Sequence, residues 1–147
     1  MNKGLYPVSS SSSQMDFKFV STGKKGNISK VVQYRETIHF GLYNLGFGNE
    51  TANGDIDDEA RDDNGDRDKI LVTVASTAIA FTNTYPQALI FAQGSTESRT
   101  RLYQMSITRY YKEISENFFI YGLLEDTGWE EFVEGKPYMA FIARRKN

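Results

Sequence analysis

The chain has 147 residues, of which 39% are hydrophobic and 24% charged, and this is enough for one globular domain with a buried core. Its net charge of −2 excludes a global basic field that would draw it to nucleic acid, so such binding would need a local patch. The absence of cysteine excludes disulfides, cysteine-based zinc sites and thiol nucleophiles. No apolar run follows Lys3, and the longest one, residues 70–81, is too short to cross a bilayer. We therefore expect a soluble, cytoplasmic protein without membrane contact.

Composition divides the chain into a tail and a domain. Residues 1–14 contain five consecutive serines and few side chains that could be buried, which predicts a flexible N-terminal tail. Residues 15–147 are predicted to form a single domain with an acidic loop at about residues 49–65. The loop is not an EF-hand, because aligning Gly65 with the sixth position puts Ala60 and Leu71 where carboxylates belong. We interpret it as solvated and predict no specific metal site.

Three strands are predicted before the acidic loop. Alternating phenylalanines after residue 15 and a β-branched run at residues 28–34 predict a hairpin. In the third strand, Ile38, Phe40 and Leu42 share one face, and the glycines that follow indicate a bent or edge strand.

The rest of the chain alternates helices and strands. Apolar residues at helical spacing from Ile70 to Thr82 predict a helix that Pro86 stops after Tyr85, although a strand is the alternative because the first half of this run is rich in valine and threonine. The later elements are predicted as a strand at residues 88–92, a helix with apolar residues from 102 to 114, a strand at 117–124, an irregular turn or short helix at Trp129, and a strand at 138–143. This order predicts an α+β domain with a mostly antiparallel sheet of five or six strands and two main helices packed on one face.

Three segments together resemble a known family. They are Tyr-Asn-Leu-Gly-Phe-Gly at residues 43–48, Asn-Gly-Asp-Arg-Asp-Lys-Ile-Leu at 64–71 and Gly-Ser-Thr-Glu-Ser-Arg-Thr-Arg-Leu-Tyr at 94–103. The chain is similar, from about residue 15 onward, to small uncharacterised bacterial proteins that share a domain of unknown function. The resemblance implies a bacterial single-domain protein and brings no known activity, fold or catalytic residue.

Residues 94–101 predict an anion site. A buried strand ends in a Gly-Ser-Thr turn that opens a helix, and the unpaired N–H groups of a first helical turn attract anions. Ser95, Thr96, Arg99 and Arg101 are the candidate ligands, since arginine offers forked donors that match phosphate. The alternative is structural: Ser95 or Thr96 caps the helix, and the arginines pair with acids of the 50–68 loop.

Two further positions are candidates for chemistry. Arg67 and Lys69 are predicted to reach the same anion as Arg99, with a helix start capped by Asp66 as the alternative. His39 is the only imidazole, and therefore the only ready general base near neutral pH, although a hydrogen-bonded structural histidine is the more common role.

Three functions follow from these candidates. The first is a small non-enzymatic binding or regulatory protein that recognises a phosphate-bearing ligand or single-stranded nucleic acid at residues 94–101. The second is a metal-independent phosphoesterase or RNase-like enzyme with His39 as base and Arg99 and Arg101 stabilising developing charge. The third is an interaction protein that forms a homo-oligomer or binds a protein partner. No cofactor is predicted for any of the three.

If the ligand is nucleic acid, basic and aromatic side chains could line one sheet face and stack bases. These residues are Lys24, Lys25, Lys30, Arg99, Arg101, Arg109, Lys112, Arg144 and Arg145, with Tyr34, Tyr43, Tyr103, Tyr110 and Tyr111.

Overall fold

The structure is a computed structural model that describes residues 4–57 and 63–146. These residues form nine strands and three helices, which confirms the predicted α+β class with a mostly antiparallel sheet. The elements are β1 (Ser9–Ser10), β2 (Asp16–Gly23), β3 (Gly26–Glu36), β4 (Leu42–Glu50), β5 (Ile56–Asp57), α1 (Arg67–Thr84), β6 (Leu89–Ala92), α2 (Glu97–Arg109), α3 (Tyr111–Asn117), β7 (Phe118–Leu124), β8 (Gly128–Glu131) and β9 (Ala140–Arg145). The predicted count of five or six strands is wrong, because β1, β5 and β8 are two to four residues long and too short to show an alternating pattern.

The chain divides into two compact units. The first comprises Met1–Arg35 and Gly46–Thr84, and the second comprises Glu36–Leu45 and Tyr85–Asn147. Strand β4 contributes its first four residues to the second unit and its last five to the first.

The sheet of the first unit has the strand order β1-β2-β3-β4-β5. The predicted hairpin is confirmed: β2 and β3 are antiparallel, with Gly23 opposite Gly26 around a two-residue turn. Gly26 has a φ of 88°, a left-handed conformation that glycine adopts without the steric cost of a Cβ atom. The alternation of β2 buries Phe17 and Phe19, at 2% and 3% exposure.

Helix α1 supplies the other side of the first unit's core, and the strand alternative for this run is excluded. The Phe81 ring stacks on Tyr34 with ring centroids 4.3 Å apart, and both side chains are completely buried. The Tyr34 hydroxyl lies 2.8 Å from Thr77 Oγ1, which also donates to the Val74 carbonyl of the preceding turn. The hydroxyls of the buried threonines in α1 therefore donate to carbonyls of the preceding helical turn, so these polar side chains can be buried in a helix.

The segment predicted as a flexible tail packs on the rest of the first unit through Tyr6 and pairs with it through β1. Tyr6 is 6% exposed and stacks on Phe19 with ring centroids 5.7 Å apart. Its backbone N–H donates to Thr73 Oγ1 at 3.0 Å, and β1 pairs with β2. Tyr6 thus anchors the N-terminal segment, although the serine-rich composition of that segment predicts no such contact.

The sheet of the second unit has the order β4-β6-β9-β7-β8, with β4 and β6 parallel and the remaining pairs antiparallel. One face is buried, and its side chains are Ile90, Phe118, Ile120 and Phe141. The predicted second helix is instead two helices, because Tyr110, with φ −108° and ψ 20°, departs from helical values between α2 and α3.

Two local predictions in the second unit are wrong. Ile38 and Phe40 do not lie on a strand: they are 96% and 99% exposed in a turn that precedes β4. The turn closes because the Thr37 N–H donates to the Leu42 carbonyl at 2.8 Å. Trp129 lies on strand β8 rather than in a turn or short helix, because it pairs with Leu123 of β7.

None of the helices within the described ranges combines the length and apolar character that crossing a membrane requires.

Candidate functional site

The 94–101 turn forms where the sequence predicts it, between β6 and α2. Thr96 is the N-cap residue, and its side chain accepts a hydrogen bond from the Arg99 N–H at 3.2 Å. The Gly94 N–H donates to Thr100 Oγ1 at 3.0 Å, and a Cβ atom at Gly94 would overlap the first turn of α2. The capping role predicted for Ser95 or Thr96 is therefore confirmed, with Thr96 as the cap.

The other candidate ligands of this turn lie at the surface. Ser95 is exposed, and Arg99 is half-buried. Arg101 pairs with Glu97 of its own helix at 3.4 Å, with both side chains largely exposed. An exposed pair of this kind contributes little to stability. Anion binding by Ser95, Thr96, Arg99 and Arg101 stays a prediction.

Arg67 and Lys69 belong to the first unit, whereas the 94–101 turn belongs to the second. Arg67 is exposed at the start of α1. Lys69 Nζ lies 4.3 Å from the centre of the Tyr6 ring, a cation–π contact that gives this lysine a structural role. Their predicted contribution to the anion site of Arg99 stays a prediction.

Polar residues just before α1 join this helix to the β2–β3 hairpin. The Asp66 carboxylate accepts hydrogen bonds from the Tyr6 hydroxyl and, at 2.5 Å, from Ser21 Oγ. Asn64 is 4% exposed; its Nδ2 donates at 3.0 Å to Ser21 Oγ and to the Gly26 carbonyl. Its Oδ1 accepts from the Lys25 N–H at 2.6 Å. We call Tyr6, Ser21, Asn64 and Asp66 the hairpin network; its hydrogen bonds explain the 64–66 motif structurally.

His39 lies in the exposed turn before β4. Its backbone N–H donates to Thr37 Oγ1 at 3.1 Å, and its side chain is exposed to solvent. Its predicted role as a general base stays a prediction.

The acidic loop predicted at about residues 49–65 raises the question of metal binding. Within residues 4–57 and 63–146, no group of three or more His, Cys, Asp or Glu side chains could hold a metal ion. Residues 58–62 of the predicted acidic loop lie outside the described residues. Of the rest of that loop, β5 pairs with β4, and Glu50 forms an ion pair with Lys18 at 2.6 Å.

The second unit carries an aromatic surface on the face of its sheet opposite the buried core. Residues directly opposite each other in antiparallel strands project from the same face, and the register therefore defines this surface. Leu89 and Phe91 of β6 lie opposite Arg144 and Ile142 of β9, which in turn lie opposite Phe119 and Tyr121 of β7. Leu123 of β7 lies opposite Trp129 of β8, and Tyr121 lies opposite Glu131, an exposed carboxylate at the edge of this face. We call this set the aromatic face: Leu89, Phe91, Phe119, Tyr121, Leu123, Trp129, Ile142 and Arg144.

The rings of the aromatic face are accessible to solvent. Phe119 and Trp129 are 40% and 43% exposed, and Phe91 and Tyr121 are half-buried. The Trp129 ring meets Phe91 edge-on with centroids 6.2 Å apart. Because β7 and β9 lie between β8 and β6, these two side chains extend toward each other over the sheet.

Positive charge is concentrated at the end of the aromatic face that lies away from Trp129. The Arg144 guanidinium lies 4.5 Å from the centre of the Phe119 ring, and Lys146 Nζ lies 4.9 Å from it. Lys146 is held there by backbone and side-chain hydrogen bonds to the carbonyls of Asn117 and Ser115. The surface thus offers aromatic rings for stacking and fixed cations beside one of them.

Base-stacking aromatic side chains were predicted from the sequence, but at positions other than those of the aromatic face. Tyr34, one of those predicted, is completely buried in the first unit. Arg144, which was named as a basic residue of such a surface, lies on the aromatic face, whereas Phe91, Phe119 and Trp129 were not named. The alternation of Phe119, Tyr121 and Leu123 along β7 was the available signal, but the pattern alone does not tell which face is open.

Tyr138 connects β8 to the segment before β9. Its hydroxyl donates to Glu130 Oε2 at 2.6 Å and accepts from the Val133 N–H at 2.9 Å. The hydrogen bonds from Tyr138 and Lys136 lower the pKa of Glu130 below its usual value. Burial and, to a smaller extent, the hydrogen bond to Glu130 raise the pKa of Tyr138. We interpret this cluster as structural support for β8, the strand that carries Trp129.

Comparison with known proteins gives a family and no activity. No curated protein matches the chain, and no solved structure matches it. The sequence matches a family of unknown function, DUF6934, over residues 2–146, a range that includes the N-terminal segment left out of the predicted resemblance. The predicted membership of a domain family of unknown function is confirmed: the chain belongs to the DUF6934 family.

Proposed function

We propose that this protein is a non-enzymatic binding protein for single-stranded nucleic acid, with the aromatic face as its binding surface. The observation that carries the proposal is the combination of accessible rings on an open sheet face with cations fixed beside one of them. Base–aromatic stacking contributes about 1–3 kcal/mol per base and tolerates any sequence, because every base has a π face. This function is the nucleic-acid form of the binding protein predicted from the sequence, with the sheet face in place of the 94–101 turn as the main site.

The cations suit the phosphate backbone. Arg144 can contact a phosphate while its guanidinium plane stacks on Phe119 or on a base, a property that lysine lacks. Lys146 adds a second positive charge at the same end of the face. The formal charge of the whole chain, −2, makes this local concentration the source of the expected salt dependence.

The aromatic character favours nucleic acid over a purely electrostatic ligand. A free phosphate would need the cations alone and would gain nothing from Phe91, Tyr121 or Trp129. A strand with unpaired bases uses both parts of the surface. The 94–101 turn directly follows β6, and Arg99 and Arg101 are proposed as a separate phosphate contact that can be tested independently.

The test uses Trp129, which is the only tryptophan in the chain, as an internal reporter. Titration with a mixed-sequence single-stranded DNA or RNA oligonucleotide is expected to quench its fluorescence, and the anisotropy of a labelled oligonucleotide is expected to rise. Phe119→Ala should weaken binding roughly 5- to 150-fold, which corresponds to the stacking energy of one base. Arg144→Ala should weaken binding for all sequences and lower the salt slope by about one.

Three comparisons make the test decisive. Val20→Ala, at a 44% exposed position of the first unit, is the control that should bind normally. The double variant Arg99→Ala/Arg101→Ala measures the contribution of the 94–101 turn. Absence of binding at low salt, or binding that Phe119→Ala and Arg144→Ala leave unchanged, would overturn the proposal. A cytoplasmic location and a bacterial origin stay predictions from the sequence.

A further inference from the structure

The turn before β4 carries the two most exposed large apolar side chains of the described residues. Ile38 is 96% exposed and Phe40 is 99% exposed, the highest values among the large apolar side chains of residues 4–57 and 63–146. Neighbouring exposed apolar side chains mark interaction sites, since their transfer out of water is favourable.

Hydrogen bonds fix the conformation of this turn. The Thr37 N–H donates to the Leu42 carbonyl at 2.8 Å, and the Gly41 N–H donates to Glu36 Oε2 at the same distance. Gly41 has a φ of 79°, and its carbonyl accepts from the Leu89 N–H of β6 at 2.9 Å. A turn held in this way loses little conformational entropy on binding, which favours association through it.

The same unit displays a second exposed apolar surface that could receive the turn. Leu102 and Met105 of α2 are 40% and 55% exposed, and their three-residue spacing puts them on one side of the helix. Arg109, four residues further, continues that side with a positive charge, whereas the turn begins with the carboxylate of Glu36. The two surfaces are therefore complementary in both polarity and charge.

We propose that two copies of this chain form a dimer in which the 36–42 turn of each copy packs on the Leu102–Met105 surface of the other. The contact is reciprocal, as a two-fold axis requires. Two turns packed only on each other would bury roughly 700 Å² of side-chain surface, less than the ~1,200 Å² of a stable interface. Adding Leu102 and Met105 from both copies brings the total to roughly 1,000 Å², which corresponds to a weak, concentration-dependent dimer.

Sedimentation velocity over a range of protein concentrations tests the dimer. The wild type is expected to shift from monomer to dimer as concentration rises. Ile38→Ser/Phe40→Ser and Leu102→Ser/Met105→Ser should each raise the dissociation constant roughly tenfold or more, as expected for the loss of central apolar contacts. Val20→Ser, at an apolar position of the first unit whose 44% exposure is close to that of Leu102 and Met105, should dimerise like the wild type. Circular dichroism checks that each variant keeps its fold.

A mixing experiment tests the arrangement itself. The turn variant retains an intact Leu102–Met105 surface, and the surface variant retains an intact turn. A mixture of the two should therefore form more dimer than either variant alone, since one of the two reciprocal contacts is complete. A wild type that stays monomeric at every concentration would overturn the proposal. A dimer that both variants leave intact, or a mixture that recovers nothing, would overturn it as well.

Discussion

Asn64 offers the sharpest test of the structural interpretation of the 64–66 motif. Its side chain makes three hydrogen bonds, two from Nδ2 and one to Oδ1, and only 4% of the residue is exposed. The hairpin tip lies close against it, because a Cβ atom at Gly23 would overlap the Asn64 carbonyl. Replacing Asn64 with alanine removes all three bonds and leaves the Lys25 N–H and the Gly26 carbonyl without this partner.

The expected loss follows from these contacts. A hydrogen bond contributes about 1 kcal/mol net, so three of them amount to roughly 3 kcal/mol. That loss is a large share of the total stability of a domain. At roughly 2–4 °C per kcal/mol for a chain of this size, Asn64→Ala should lower the melting temperature by roughly 6–12 °C.

Thermal and urea denaturation of the purified variant measure this loss directly. Asn53→Ala is the matched control, since Asn53 is an exposed asparagine in the turn between β4 and β5, and its melting temperature should stay at the wild-type value. The hairpin network would have no structural role if Asn64→Ala melted with the control. The 64–66 motif would then need a functional explanation.

Two further predictions concern the support of strand β8. Gly122→Ala should destabilise the protein by about 1–3 kcal/mol in urea denaturation, because the new Cβ would overlap the Tyr138 ring; an unchanged midpoint would show that the ring moves aside freely. Folding lowers the pKa of Glu130 below its usual 4.5. The ionised carboxylate therefore stabilises the folded state above pH 4.5, and this stabilisation is lost as the pH falls through the lowered pKa. Because the pKa of Tyr138 is raised from 10.0, stability is also lost as the pH rises above that value. Tyr138→Phe should flatten both limbs of the stability profile, and identical profiles for the variant and the wild type would contradict the assignment.

The elements predicted correctly are those whose sequence pattern is long. Phe17 and Phe19 alternate over a strand of eight residues, and α1 continues its apolar spacing over several turns before Pro86. A cap at Ser95 or Thr96 is predicted because the residue type is selected locally by the unpaired N–H groups of the helix start, and Thr96 is the cap. Each of these features depends on residues close together in the chain.

The elements predicted wrongly depend on distant partners. Ile38 and Phe40 continue a period of two, yet the turn there is selected by Gly41 and by the bond between Thr37 and Leu42. Strand β8 exists because it pairs with β7, and four residues carry too little pattern to predict a strand. Local alternation is thus neither sufficient nor necessary for a strand, because pairing with a neighbouring strand decides where one forms.

The candidate site was predictable only in its parts. Basic and aromatic residues could be named from the sequence, and Arg144 was among them. The aromatic face depends on register, which brings Phe91, Phe119 and Trp129 from three strands onto one surface. The sequence contains these rings but does not state which of them share a face.

The position of β9 within the second unit's sheet has a consequence for the order of synthesis. This strand, the last described in the chain, lies between β6 and β7 and pairs with both. When β6, β7 and β8 of a nascent chain have been synthesised, the strand that pairs with both β6 and β7 is still missing. Residues 140–145 must therefore leave the ribosome before the second unit's sheet can be completed. Until then, the apolar side chains of β6 and β7 lack their central neighbour. The aromatic face, which includes Ile142 and Arg144 of β9, is therefore incomplete until residues 140–145 have left the ribosome.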